Sequence, residues 1–364
     1  MVNSQEQALA AYRTAVGLLY SENKYEQAGE TFAKLCQVLA EKDKAPCYYH
    51  LGYASNALGD PITASDFYYS AFNTDNEVCA LVLPDVAPNK SYVFSGKVKE
   101  ADFPDCPLCG KKGEPYWCYP LTECFATLPA EFNPVRTWLA CVDCTFLWAK
   151  SFPAFGEITD NPDDESLTPR KPNVHLQPYY DELFLSLETK YLTHIKSSSD
   201  IRFLEVGLGA CEALFIAQKR GYKEFGIDVE RPIINLAKSM GLNAEVRDFY
   251  KLDLSHSDGE KYDIIVMGDV IEHVPDPVSW MAKTAELLSD DGVLWISTPD
   301  FQSKFTTQKG HIDPMRRNIT HFTYFSLTSL YALLRRFGLE PVIFRESQHY
   351  NGSMEVVAKK KTVN

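Results

Sequence analysis

The sequence predicts an α/β protein built in three units. These are an N-terminal all-α helical-repeat segment, a small cysteine-bearing module and a C-terminal, doubly wound, mostly parallel sheet. Three observations lead there. Residues 5–78 carry apolar residues at helical spacing; two Cys-x-x-Cys pairs stand at 106–109 and 141–144; and from about residue 200 short apolar strands alternate with helices. The expected boundaries are 1–80, 81–160 and 161–364.

The chain has 364 residues, 45% of them hydrophobic and 23% charged, which suits two or three globular domains. Its formal net charge of -13 speaks against a nucleic-acid partner, whose phosphates demand basic surface. The opening MVNSQEQALAAYR has neither a basic nor an apolar signal region, and no apolar run approaches the ~20 residues of a membrane helix. The expectation is a cytoplasmic chain with no membrane partner. Its 10 cysteines are then thiols or metal ligands rather than disulfides.

Within the helical segment Tyr12, Ala28, Phe32 and Leu35 recur as Tyr48, Ala64, Tyr68 and Ala71, a period of 36. The pattern resembles the ~34-residue tetratricopeptide helix pair. Small residues at such spacings also serve plain close packing of helix hairpins. Two repeats do not stand alone. They are expected to dock on the rest of the chain, on a second copy in a homodimer, or on a protein partner.

CPLCG (Cys106 to Gly110) and CVDC (Cys141 to Cys144) form two knuckles a few tens of residues apart. Each turn aims two thiolates at one point, and four thiolates complete a tetrahedron around zinc. Cys106, Cys109, Cys141 and Cys144 are the expected ligands, with Cys118 and Cys124 as substitutes. Protein fills all four positions, so the metal's role is structural. A redox dithiol is disfavoured because neither pair opens a helix after a buried strand.

Residues 151–173 are polar and proline-bearing, a linker or surface loop, and 176–197 read as a helix. Then RFLEVG, EFGIDV, AEVRDF, YDIIVMGDV and GVLWIST read as strands. CEALFIAQKRG, PIINLAKSMG, VSWMAKTAELLSDDG and SLTSLYALLRRFG read as helices, and PVIFRES and SMEVVAKK as a closing pair. Ligands of such sheets bind at the carboxyl ends of the strands. That places Glu205 to Cys211, Asp228, Asp248 and Asp269 around one cleft.

The stretch FLEVGLGACEA (Phe203 to Ala213) ends a strand on an acid and runs Gly-x-Gly into a helix. A dinucleotide fingerprint needs a third glycine where Glu212 stands, and a carboxylate there would repel a diphosphate. No Gly-Lys-Ser/Thr follows, so a P-loop fails too. The segment resembles instead the cofactor motif of class I S-adenosylmethionine-dependent methyltransferases, acid-x-Gly-x-Gly-x-Gly. Glu205, Gly207 and Gly209 match it, and Cys211 stands where a third glycine is usual, an expected tightening of the fit. GDVIEHVPDP (Gly268 to Pro277), LLSDDGVLWISTP (Leu287 to Pro299) and HFTYFSLTSLYALLRRFGLEP (His321 to Pro341) resemble the ubiquinone-biosynthesis-like subgroup.

The resemblance implies a Rossmann-like, seven-stranded methyltransferase sheet. It implies that Asp228 bonds the ribose hydroxyls and that Asp248 accepts from the adenine amine while Phe249 stacks on the ring. Asp269 joins them from the motif after the fourth strand. His273 in that motif is the first candidate for a general base, with a pKa range suited to neutral pH. His311 and His321 flank GHIDPMRRNITHF and are the alternatives; Arg316 and Arg317 between them would clamp an anionic acceptor or lie solvated.

The leading functional reading is an S-adenosylmethionine-dependent methyltransferase acting on a small polar acceptor, such as a sugar or a natural-product intermediate. The double knuckle before such a domain also occurs in bacterial methyltransferases of that kind. The alternatives are a protein or peptide methyltransferase that grips its target through the helices, and a non-catalytic scaffold with Cys211 as its mark.

Overall fold

The computed structural model describes residues 4–78, 82, 100–120, 133–153, 172–195, 197–310, 313–318 and 320–361. His311 and Cys124 lie outside the described residues.

Four helices come first: α1 (Ser4–Tyr20), α2 (Tyr25–Val38), α3 (Ala45–Ala57) and α4 (Pro61–Thr74). Asp60 caps α4 by accepting from the Thr63 N–H, and Pro61 sits in its first turn, where a missing N–H costs nothing. α3 and α4 pack closely because Gly52 faces the ring of Tyr68; a Cβ there would meet that ring at 2.8 Å. His50 is buried among the first three helices, stacked on Phe32 and bonded to the hydroxyls of Tyr12 (2.8 Å) and Tyr20 (3.0 Å).

Strands β1 (Glu100–Asp102) and β5 (Ser151–Pro153) pair antiparallel, and β2 (Glu114–Pro120), β3 (Val135–Cys141) and β4 (Phe146–Ala149) form a meander. The helices dock on this meander. The Asn56 amide bonds both the N–H and the C=O of Cys118 in β2, and the Tyr69 hydroxyl donates to Asn133 at 2.6 Å.

The C-terminal unit opens on α5 (Gln177–Tyr191), followed by β6 (Arg202–Val206), α6 (Glu212–Lys219), β7 (Lys223–Asp228), α7 (Arg231–Ser239) and β8 (Ala244–Val246). It continues through β9 (Tyr262–Gly268), α8 (Pro277–Leu287), β10 (Leu288–Pro299), β11 (Thr323–Tyr324), α9 (Leu327–Arg336), β12 (Leu339–Glu346) and β13 (Ser353–Lys360). The seven-stranded sheet has the order β12-β13-β10-β9-β6-β7-β8, with only β13 antiparallel to its neighbours. Its central strands are apolar on both faces, as a sheet covered by helices on both sides requires. Chain order steps outward from β6 to β8, then returns to β9 on the other side of β6. The reversal leaves a crevice at the carboxyl ends of β6 and β9.

Two expected elements differ. The stretch AEVRDF forms only a three-residue strand, because Asp248 caps a short 3-10 turn at 249–251. Residues 288–291, expected to end a helix, already belong to β10.

The cysteine module is welded to the C-terminal unit. β11 pairs with β4, Thr323 opposite Trp148, and completes a four-stranded sheet. Leu139, Phe146 and Trp148 share one apolar core with Phe325, Leu330 and Leu333. Ser326, which caps α9 in a reciprocal capping box with Ser329, also donates to the Thr145 carbonyl.

Candidate active site

The turn after β6 explains its glycines. Gly207 has φ +75° and faces Val270, whose Cγ2 lies 2.6 Å from where a Cβ would stand. Gly209 has φ +53° and faces open space. Only glycine adopts this left-handed region without strain. Cys211, the residue before α6, has φ +67°, so a glycine at this point serves backbone conformation. The Cys211 side chain is fully buried among Leu208, Leu214 and Phe203. It points into the core, so the expected tightening around a cofactor does not hold.

The carboxylates converge on the same edge. Glu205 accepts from the Leu214 N–H at 2.7 Å, tying the end of β6 to the first turn of α6. Burial pushes its carboxyl well above the usual range. Asp228, at the end of β7, accepts from Leu208 N–H (2.8 Å) and Glu230 N–H (2.9 Å), one on each oxygen. Burial raises this carboxyl too, and the two N–H donors oppose the rise. Each oxygen keeps a lone pair for a further donor. Asp269 sits at φ +51° just past β9, and its N–H and carboxylate both bond the Ser297 hydroxyl of β10. Asp248 accepts from the Tyr250 N–H at 2.9 Å and keeps its second oxygen 3.7 Å from Lys251.

Phe249 corrects the sequence expectation. Its ring is buried against Trp280 at 4.4 Å and belongs to the main core, so it offers no face to an adenine. The half-open ring at this turn is that of Tyr250.

His273 follows β9 on a short turn. Its Nδ1 bonds the Thr320 carbonyl at 2.9 Å, which makes Nδ1 the protonated nitrogen and Nε2 the basic one. His321 stands edge-on to it, ring centroids 4.8 Å apart, and bonds Asn318 through Nε2. His321 is buried, and burial together with His273 holds its pKa well below the ordinary range. A base must reach its acceptor, so the structure disfavours His321 as one and places it as a neutral wall behind His273. In the sequence Glu272 stands only as the neighbour of His273, with no role assigned. It is buried, accepts from Thr298 Oγ1 at 3.0 Å, and leaves Oε1 without a hydrogen-bond partner. Ligand-capable atoms of Glu272, His273 and His321 lie within 4.8 Å of one another. The only sequence signal was the adjacency of Glu272 to His273.

Tyr179 and Tyr180 of α5 pack on the sheet, the second against Trp295. His349 lies edge-on to Tyr179 at 4.3 Å.

The four knuckle cysteines come together: ligand atoms of Cys106, Cys109, Cys141 and Cys144 lie within 4.8 Å of one another. Cys109 and Cys141 are 3.7 Å apart at sulfur. A tetrahedron with Zn–S bonds of ~2.3 Å has edges of about 3.8 Å. Gly110, at φ +73°, donates to the Cys106 carbonyl and closes the first knuckle. Cys118 is buried in the contact between the helices and the meander, bonded to Thr137, and is not among them.

Residues 175–343 match the family described as a methyltransferase domain. The ubiquinone biosynthesis O-methyltransferase of Hydrogenovibrio crunogenus is 28% identical over 116 residues, covering 31% of this chain and 48% of that protein. Its Bartonella quintana namesake is 30% identical over 105 residues, covering 27% and 41%. The chain thus spans about half the length of these relatives or less. Among solved structures, magnesium protoporphyrin IX methyltransferase from Synechocystis, with bound SAH, is similar at 14% identity and a TM-score of 0.42, covering 57% of this chain and 96% of that one. No described helix is long and apolar enough to cross a membrane. Residues 175–343 thus carry a methyltransferase domain.

Proposed function

We propose that this chain transfers a methyl group from S-adenosylmethionine to a hydroxyl of a small polar acceptor, with a sugar or natural-product intermediate as the substrate class to try first. The observation that supports it most is the carboxyl edge of the sheet, where Gly207 and Gly209 take left-handed backbone after β6, Asp228 ends β7 bonded to two N–H groups, and the turn bearing His273 follows β9. The O-methyltransferase names of the relatives support oxygen as the acceptor atom.

Bound at this edge, S-adenosylmethionine supplies a methyl group on a positively charged sulfonium. Gly207 and Gly209 bring backbone close to it without a side chain. Asp228, already oriented by two N–H donors, accepts from the ribose hydroxyls. Asp248 accepts from the adenine amine, and Tyr250 replaces Phe249 as the ring beside the base. His273 takes the proton of the acceptor hydroxyl on Nε2 while the Thr320 carbonyl holds Nδ1–H. Orientation of the acceptor supplies most of the acceleration, with effective molarities of ~10⁵ M and upward; the base adds about 10² to 10⁴.

The four cysteines are proposed to hold a structural zinc ion, and the helices to brace the cysteine module as tetratricopeptide-like hairpins. Calorimetric titration of the full chain with S-adenosylmethionine and S-adenosylhomocysteine tests the reading. Saturable micromolar binding of both is expected, with His273→Ala binding equally well. Absence of binding to both would leave the scaffold reading standing.

A further inference from the structure

A second cavity, of about 450 Å³, lies where the segment leaving β10 meets β2 of the cysteine module. That volume suits a small molecule. Phe301, Gln302, Thr307, Gly310 and Arg316 line it from the segment after β10, and Tyr116 closes it from the module. Because β10 runs parallel to β9 and β9 to β6, this segment leaves the same edge of the sheet as the glycine turn.

Arg316 is the unusual member. It is 7% exposed, yet it lines the cavity. Nη1 donates to the Tyr119 hydroxyl and Nη2 to the Phe301 carbonyl, while Nε is buried without a hydrogen-bond partner. Its countercharge, Asp313, is fully buried, 3.5 Å from Nε, and among the described residues no carboxylate lines the cavity. The guanidinium also lies over the rings of Tyr116 and Tyr324, at 5.5 and 5.7 Å. A guanidinium has five donors in a fixed fork that matches carboxylate and phosphate oxygens. Tyr116 is 41% exposed, with the Arg316 guanidinium over one face of its ring. A positive fork beside a partly exposed aromatic ring suits one chemistry: a flat ring bearing an anionic group.

We propose that this cavity is a binding subsite for a small ring-bearing anion, with Arg316 holding the carboxylate or phosphate and Tyr116 stacking on the ring. Resting on the methyltransferase reading, it would hold the acceptor by the end that does not react. The cysteine module then acts as part of the acceptor site, which is why β11 and the core weld it to the methyltransferase domain.

The test titrates the full chain with phenyl phosphate, benzoate and neutral benzyl alcohol, followed by saturation-transfer NMR. Either anion should saturate with a dissociation constant of about 1 mM or below, and benzyl alcohol at least about tenfold weaker. Arg316→Met should weaken the anions by about ten- to a hundredfold, and Tyr116→Ala by about threefold or more. Should Arg316→Met fail to fold, Gln302→Glu is the second variant. It places a like charge on an exposed wall and should weaken the anions but not benzyl alcohol. No saturation by either anion up to about 10 mM, or equal binding of the neutral ring, overturns the proposal. So does unchanged anion affinity in Tyr116→Ala together with Gln302→Glu. S-adenosylhomocysteine is titrated into the same samples. Its binding without the anions sinks the subsite alone; anion binding without it keeps the subsite and sinks the methyltransferase reading.

Discussion

Replacing Gly207 by alanine separates two demands that the sequence motif merges. The first is conformational: φ is +75°, where a Cβ costs about 1–2 kcal/mol. The second is steric: the new Cβ would lie 2.6 Å from Val270 Cγ2, and overpacking of this kind costs about 1–3 kcal/mol. The sum for Gly207→Ala is about 2–5 kcal/mol, read as a fall in the urea midpoint at unchanged slope. Adding Val270→Ala removes the Cγ2 and should recover the steric part only. The pair should therefore be coupled, with an interaction energy of about 1–3 kcal/mol in a double-mutant cycle. Gly209→Ala is the control. It faces open space, so it should cost only the conformational ~1–2 kcal/mol of stability. Its methyl projects into that space, so the larger loss should appear in S-adenosylhomocysteine affinity. A Gly207→Ala variant within about 0.5 kcal/mol of wild type, or one restored completely by Val270→Ala, would refute this reasoning.

Asp228→Ala should weaken cofactor binding by about 1.5–3 kcal/mol by calorimetry, since the hydrogen bonds lost are charge-assisted. Cys106→Ser should lower bound zinc, measured by atomic emission after dialysis, and lower the Tm; metal content equal to wild type would break the assigned ligand set. His50 is buried between two tyrosines, and burial lowers its pKa to about 3 from an ordinary 6.5. The unfolded chain therefore takes up a proton first as pH falls. The helical segment has its full stability above pH 6.5 and should lose ~1.4 kcal/mol per unit below it, down to about pH 3. Urea melts of wild type and His50→Gln at pH 7 and 5 check this, and an identical pH slope in the two proteins would count against it.

Local patterns carried much of this molecule. Apolar periodicity placed nearly every strand and helix of the C-terminal unit, since each element buries a face whose spacing is set by its own backbone geometry. The glycine turn and the two knuckles were readable for the same reason: the backbone geometry of each turn is built within a few residues. What tertiary structure alone decided is whatever depends on which side of a backbone faces the core. Phe249 and Asp248 are neighbours in the chain, yet one is turned into the core against Trp280 and the other toward solvent. Cys211 fills a glycine position with its side chain inward, so it neither crowds nor opens the crevice. His273 and His321 are 48 positions apart in sequence and meet edge to face only because the segment after β10 folds back to hand β11 to β4. Arg316 and Tyr116, from opposite halves of the chain, share a cavity for that same reason. Hydrogen bonding within a turn is a local matter. Burial, the state of a histidine and the walls of a cavity are set by partners distant in sequence, and only the folded chain supplies those.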